Sequence, residues 1–146
     1  MKITICGSTA FIDEMEKLAL ALGNLGHTAK LPPSIVTTAD GGKVHTRDYY
    51  QTKKSLPQDP AFWLHHTNRI KDHFDKVEWS EAVLIANYDK NGIAGYIGGN
   101  TLMEMGVAFH LGKKIFLLHP IPEISYKEEI LGLRPIVLNG RLELIG

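Results

Sequence analysis

The apolar positions of this chain switch between two periods. Residues 2–6, KITIC, form a short β-branched run closed by Gly7 and Ser8, the pattern of a buried strand. The period then lengthens: Phe11, Met15, Leu18, Leu22 and Leu25 recur at helical spacing, and Gly26 follows where a C-terminal cap belongs. HTAKL (27–31) predicts a second strand, stopped by Pro32 and Pro33. Helical spacing returns over 62–77, with Phe62, His66, Ile70, Phe74 and Val77 roughly on one face. EAVLIANY (81–88) has a near-continuous apolar centre, as a strand covered on both faces requires. A helix is predicted next, opening on the glycine-rich GYIGGNT (95–101) and running to about Leu111. Strand KKIFLLH (113–119), short helix SYKEEILG (125–132) and last strand PIVLNG (135–140) complete the series.

Strands and helices alternating at this spacing predict one α/β domain over residues 1–146. Its core would be a doubly wound, parallel five-stranded sheet with right-handed crossovers, flavodoxin- or Rossmann-like, of order 2-1-3-4-5. Ligands of such sheets lie beyond the carboxyl ends of the strands where the order reverses, here between the first and third strands. The loops leaving those strands are CGSTA (6–10) and NYDKNGIAGYIGGNT (87–101), so two glycine-rich loops fall on one crevice. Residues 32–60 break the pattern, with four of the seven prolines, Gly41-Gly42 and the polar cluster RDYYQTKK. They read as a long excursion from the domain, of a length that in compact folds is usually functional or mobile.

Charge narrows the partners. Lys plus Arg and Asp plus Glu each number 16 and the pI is near 7.1. No global field would hold nucleic acid or an anionic membrane. Cys6 is the one cysteine and sits inside an apolar run, so neither a disulfide framework nor a cysteine metal site is expected. The N-terminal apolar run is too short for a signal sequence or a membrane span, so a cytoplasmic protein is expected.

Gly7, Ser8 and Thr9 stand where a sugar or phosphate could meet a helix N-terminus, or where a plain turn would do. There is no GxGxxG, no GxxxxGK[ST] and no GxSxG. Glu104 has two readings. Thr101-Leu-Met-Glu104 matches a capping box; alternatively, the helix start holds an ionised acid towards the crevice. Gly98 and Gly99 put no side chains between that loop and a ligand. Asn87 ends the third strand as a candidate ligand contact, and Tyr96 either stacks on a base or packs the loop. Asp89-Lys90-Asn91-Gly92 looks like a solvated turn. Of seven histidines, His66 and His73 share a helix face, but no HxxxH or HExxH occurs, and no metal or cofactor is expected. His119, ending the fourth strand, is a lesser candidate.

ICGS after the first strand, a strand ending in a polar loop, and GGNTLMEMGVAFHLGKKIFLL together resemble the nucleoside 2-deoxyribosyltransferase-like superfamily. That group includes deoxyribosyltransferases and deoxynucleoside 5′-monophosphate N-glycosidases. The likeness is clearest over residues 80–118 and faint over 32–65. It implies a doubly wound sheet and a retaining displacement at an N-glycosidic bond, with Glu104 as the nucleophile on C1′. It also implies that Gly7 and Ser8 hold the sugar or its phosphate and that Asn87 and Asn100 are polar contacts; Tyr96, Gly98, Gly99 and Thr101 join them as candidate substrate-binding residues from the loop's own pattern. The partner would be a small nucleoside or nucleotide, and the protein a homodimer or higher homo-oligomer, with Phe62-Trp63-Leu64 either at that interface or in the core. One departure stands out. Where the family commonly carries an aspartate assisting the leaving base, the alignment places His73, with Asp72 about a quarter-turn away. A nucleotide-binding module without turnover is the alternative from another class. A ribonucleotide phosphoribohydrolase, whose PGGxGTxxE loop GGNTLMEMG echoes, is the enzymatic alternative.

Overall fold

The computed structural model describes residues 1–38, 40–51 and 60–146. In chain order its elements are β1 (Lys2–Cys6), α1 (Ile12–Asn24), β2 (Thr28–Lys30), β3 (Ile35–Thr37), β4 (Lys43–His45), α2 (Thr46–Gln51), α3 (Pro60–Trp79), β5 (Ala82–Ile85), α4 (Gly99–His110), β6 (Lys114–Leu117), α5 (Lys127–Gly132) and β7 (Ile136–Val137). Five strands form one sheet of order β2-β1-β5-β6-β7, every pairing parallel. With the off-sheet strands β3 and β4 set aside, this is the predicted 2-1-3-4-5 order.

The two faces of the sheet explain the apolar runs. Side chains alternate along a strand, so Ile3, Ile5, Ala82 and Leu84 face one way and pack on Ile12, Met15, Leu18 and Leu22 of α1. Cys6, Val83 and Ile85 face the other way, onto Val77 of α3, Met105 and Ala108 of α4, and Ile130 of α5. With helices on both faces, all four residues of β5 are buried. Thr4, a polar residue inside β1, is fully buried and donates its hydroxyl to the Lys76 carbonyl at 2.6 Å, which fastens α3 to the sheet.

Residues 32–60 are more structured than the sequence pattern predicts. β3 and β4 pair antiparallel as a small separate hairpin, and α2 follows directly. Thr46 is buried and its hydroxyl donates to the Pro33 carbonyl; Arg47 reaches Asp13 of α1 at 2.6 Å. Three-residue strands are too short to display a period, which is why the pattern reads as irregular. Ala39 and residues 52–59, which include part of the polar cluster, lie outside the described residues. α3 begins at Pro60, two residues before the predicted start, because proline suits a first helical position whose amide has no partner within the helix. Trp63 and Leu64 are 39% and 66% exposed, so these two do not belong to the core. Among the described residues no helix is long and apolar enough to cross a membrane.

Candidate active site

Gly7 follows β1 where no side chain fits: a Cβ would stand 2.9 Å from Met15 Cε and 3.0 Å from the Ala86 carbonyl oxygen. The backbone therefore stays flush against the end of β5, and Ser8 turns into the 3-10 segment Thr9–Phe11, accepting from the Ala10 amide at 3.3 Å. Lys90 closes on the same hydroxyl, its Nζ donating to Ser8 Oγ at 2.8 Å. Lys90 is held there by a tight hairpin with Ile93, whose central Asn91 (φ 55°) and Gly92 (φ 72°) take the left-handed conformations such a turn demands. The turn that the sequence pattern reads as solvated thus carries a placed cation. Asp89 is engaged within it, accepting from the Gly95 amide at 2.9 Å.

These loops form one wall of a cavity of about 490 Å³ at the carboxyl ends of β1 and β5. That is the range of small-molecule sites. Gly7 and Ser8 contribute from the first loop; Tyr96, Gly98, Gly99, Asn100 and Thr101 from the second; Glu104 from α4. His66, Arg69, Asp72 and His73 enter from α3, and Pro32, Pro33, Val36 and Thr46 close the far side. The structure therefore brings together nearly all the residues the sequence singles out. Gly99 is open to the cavity, with nothing within 4 Å of where a Cβ would be.

Asn87 has a different place. It is fully buried and its side-chain amide bridges three loop carbonyls, donating to His119 at 3.0 Å, Pro120 at 3.2 Å and Gly95 at 3.4 Å. Its Oδ1 accepts from the His119 amide at 2.9 Å. A polar residue at a strand end looks like a ligand contact in sequence, but here it staples the loop after β6 to the loop after β5. Asn87→Ala removes the partner of four backbone groups around one buried side chain and is expected to lower unfolding free energy by on the order of 3 kcal/mol, measurable by urea denaturation. His119 turns its ring onto Tyr88, centroids 5.4 Å apart, rather than onto the cavity.

The capping box is not formed. Gly98 is the N-cap, with no side-chain cap bond, and the helix starts at Gly99. Thr101 is the third helical residue and buried, and Glu104 is the sixth, a turn and a half in. The field of a helix start fades within its first turn, so it does not keep Glu104 ionised. Burial decides instead. The Glu104 side chain is only 13% exposed, and loss of water pushes its carboxyl up to about 8, against a hydrogen bond with the Cys6 thiol that favours the anion. The expectation of a bare, charged acid is corrected on this point: at neutral pH the carboxyl holds its proton.

His73 faces it. The imidazole Nε2 lies 3.7 Å from Glu104 Oε1. His73 is 8% exposed, and neither ring nitrogen has a hydrogen-bond partner. Burial lowers its pKa to about 4, with the charge of Lys76 adding to the effect. Asp72, one residue away, also borders the cavity but is exposed. The sequence pattern misses Lys90, Arg69 and Cys6. For Cys6 a signal existed, since strand alternation opposite Ile5 points it towards α4; for Lys90 only the hairpin reversal reveals where the side chain goes.

No protein-family model matches the chain, and no curated protein matches its sequence. Two solved structures share its architecture. A 2-deoxyribosyltransferase of the psychrotolerant bacterium Bacillus psychrosaccharolyticus superposes with a TM-score of 0.50 at 19% identity, over 80% of this chain and 71% of that one. The CMP N-glycosidase of Clostridium botulinum superposes with a TM-score of 0.50 at 18% identity, over 95% of this chain and 90% of that one. The chain shares the doubly wound α/β fold of these two enzymes.

Proposed function

We propose that this protein cleaves or exchanges the N-glycosidic bond of a nucleoside or its 5′-monophosphate, with Glu104 as the nucleophile. The observation that carries this reading is the Glu104 carboxyl at the cavity wall, 3.7 Å from a buried imidazole that has no hydrogen-bond partner. The fold shared with a 2-deoxyribosyltransferase and a CMP N-glycosidase supports the reading that a sugar carbon binds beside that pair.

The chemistry needs a carboxylate to attack C1′ and an acid to protonate the departing base. Unliganded, the pair holds its one proton on Glu104. Moving that proton to His73 creates both reactive forms together. The separate shifts, about 8 and about 4, place the ion pair about 5 kcal/mol above the neutral pair. Attraction between opposite charges 3.7 Å apart returns about 4 kcal/mol at an effective dielectric of 20. The charged arrangement is therefore within reach once a bound sugar begins to develop positive charge at C1′. Glu104 then bonds to C1′ as the base leaves with the His73 proton. Water or a second base displaces the carboxylate, and His73 takes back a proton.

Lys90 and Ser8, on the wall beside Gly7, suit a 5′-phosphate. Charge-assisted hydrogen bonds are worth about 1.5–3 kcal/mol. Lys90→Met should therefore raise KM for the monophosphate about 10–100-fold and leave that for the free nucleoside nearly unchanged. A panel of ribo- and deoxyribonucleosides, each with and without phosphate and followed by chromatography of the free base, tests the whole reading. Tight binding by calorimetry without turnover would replace it with a nucleotide-binding module. The family resemblance also implies homo-oligomers, for which exposed Trp63 and Leu64 provide apolar surface.

A further inference from the structure

The mechanism gives Cys6 no chemical step, although it lies beside both reacting groups. One ligand-type atom from each of Cys6, His73 and Glu104 falls within 4.8 Å of the other two. The three residues come from β1, α3 and α4, so no sequence spacing displays them. We propose that they form a binding site for a thiophilic divalent metal ion, with Zn²⁺ the best match, and that the ion inhibits glycosyl chemistry by occupying the nucleophile. The inhibition rests on the function proposed above; the binding does not.

Three features favour the site. First, His73 is more than nine-tenths buried, and both its nitrogens lack partners. Its ring can turn towards an ion without breaking any hydrogen bond. Second, thiolate, imidazole and carboxylate together are a zinc donor set, whereas Ca²⁺ and Mg²⁺ prefer oxygen alone. Two anionic donors also balance the dication, so no net charge is buried. Third, the distances are close to those required. Zinc bonds of about 2.0–2.3 Å in a tetrahedron hold neighbouring donors roughly 3.3–3.7 Å apart. His73 Nε2 and Glu104 Oε1 are already at 3.7 Å, and bringing in Cys6 Sγ takes a shift of about 1.5 Å at most. Three protein donors leave a fourth position open, and two of the three residues, His73 and Glu104, line the cavity.

Co²⁺ titration of the chelator-treated protein reads thiolate ligation directly, through a sulfur-to-metal charge-transfer band and tetrahedral visible bands. The expected result is one equivalent bound with both features. Cys6→Ser and Cys6→Ala, confirmed as folded by circular dichroism, should lose the charge-transfer band. Their Zn²⁺ affinity, measured by competition with a chelating dye, should fall by more than the about 10–100-fold that loss of a mere supporting partner costs. Where turnover is measurable, Zn²⁺ should suppress it in the wild type and a chelator should restore it. Each Cys6 variant, compared with its own chelated activity, should resist suppression at the same concentration. Absence of the charge-transfer band, or equal Zn²⁺ affinity in wild type and folded Cys6 variants, overturns the site. Because the spectral test needs no substrate, a protein inactive on every nucleoside still decides it. Metal binding with full activity retained overturns the inhibitory half.

Discussion

Glu104→Ala is expected to lower turnover of the preferred substrate by on the order of 10⁴-fold or more, the scale on which removing a covalent nucleophile acts. The phosphate-side contacts and the rest of the cavity wall do not change, so substrate affinity should stay within a few-fold. Glu104 is the sixth residue of α4 and makes no cap, so the fold should tolerate the change. Melting curves of Glu104→Ala and Glu104→Gln separate loss of chemistry from loss of structure. Truncation also opens space for a small anion beside C1′, so azide or formate should recover part of the lost rate in Glu104→Ala but not in the wild type. A folded Glu104→Ala protein that retains more than a tenth of the activity would dismiss the nucleophile assignment.

The second large effect is the pH response and its dependence on His73. Between about pH 4 and 8 the pair holds one proton, and the fraction with Glu104 ionised and His73 protonated is constant. In chelator-treated protein, kcat/KM should therefore be flat across that window and fall on both sides, the limbs belonging to the pair rather than to either residue. His73→Gln removes the acid for the leaving base and should cost about 10²–10⁴-fold. What activity survives should rise with pH through the titration of Glu104, because only an ionised carboxylate is then required. A His73→Gln profile identical in shape to the wild type would show that the imidazole takes no part in the proton traffic.

Stability carries the same signature. Glu104 is raised from 4.5 to about 8 on folding, so its contribution is complete below 4.5 and lost as pH rises through 8. His73 is lowered from 6.5 to about 4, so its contribution is complete above 6.5 and lost as pH falls through 4. Between 4.5 and 6.5 the two slopes oppose and the sum is level. From 6.5 to 8 only the glutamate term varies, and unfolding free energy should drop by about 2 kcal/mol. Denaturant titrations at a series of pH values measure this directly, and Glu104→Gln should abolish the alkaline decline.

The sheet was readable because β1, β5 and β6 stand out as short apolar runs between helical stretches, an alternation that implies parallel strands joined by right-handed crossovers. The convergence of CGSTA and GYIGGNT on one crevice followed from that order, before any side chain was placed. The start of α4 was misread for a physical reason. Thr101 and Glu104 have capping-box spacing, yet Gly98 already adopts the extended conformation of a cap, so the helix begins three residues earlier than that motif implies. Protonation was equally hidden, since burial of Glu104 depends on α3 and β1, both remote in sequence. Asn87 shows the opposite failure. Strand-end polarity suggests a ligand contact, while its amide is engaged by carbonyls 8 to 33 residues away. The hairpin β3–β4 stayed invisible because its anchors, Arg47–Asp13 and Thr46–Pro33, are tertiary contacts.

The cavity draws its two sides from chain segments with separate duties. The reactive side is built by the ends of β1 and β5 and by α3 and α4, which also hold the core. The opposite side, with Pro32, Pro33, Val36 and Thr46, belongs to a hairpin and short helix that add no strand to the main sheet. Substitutions there can reshape what is admitted while the proton pair beneath goes untouched. Descendants of such a scaffold are thus free to change diet without reinventing their chemistry.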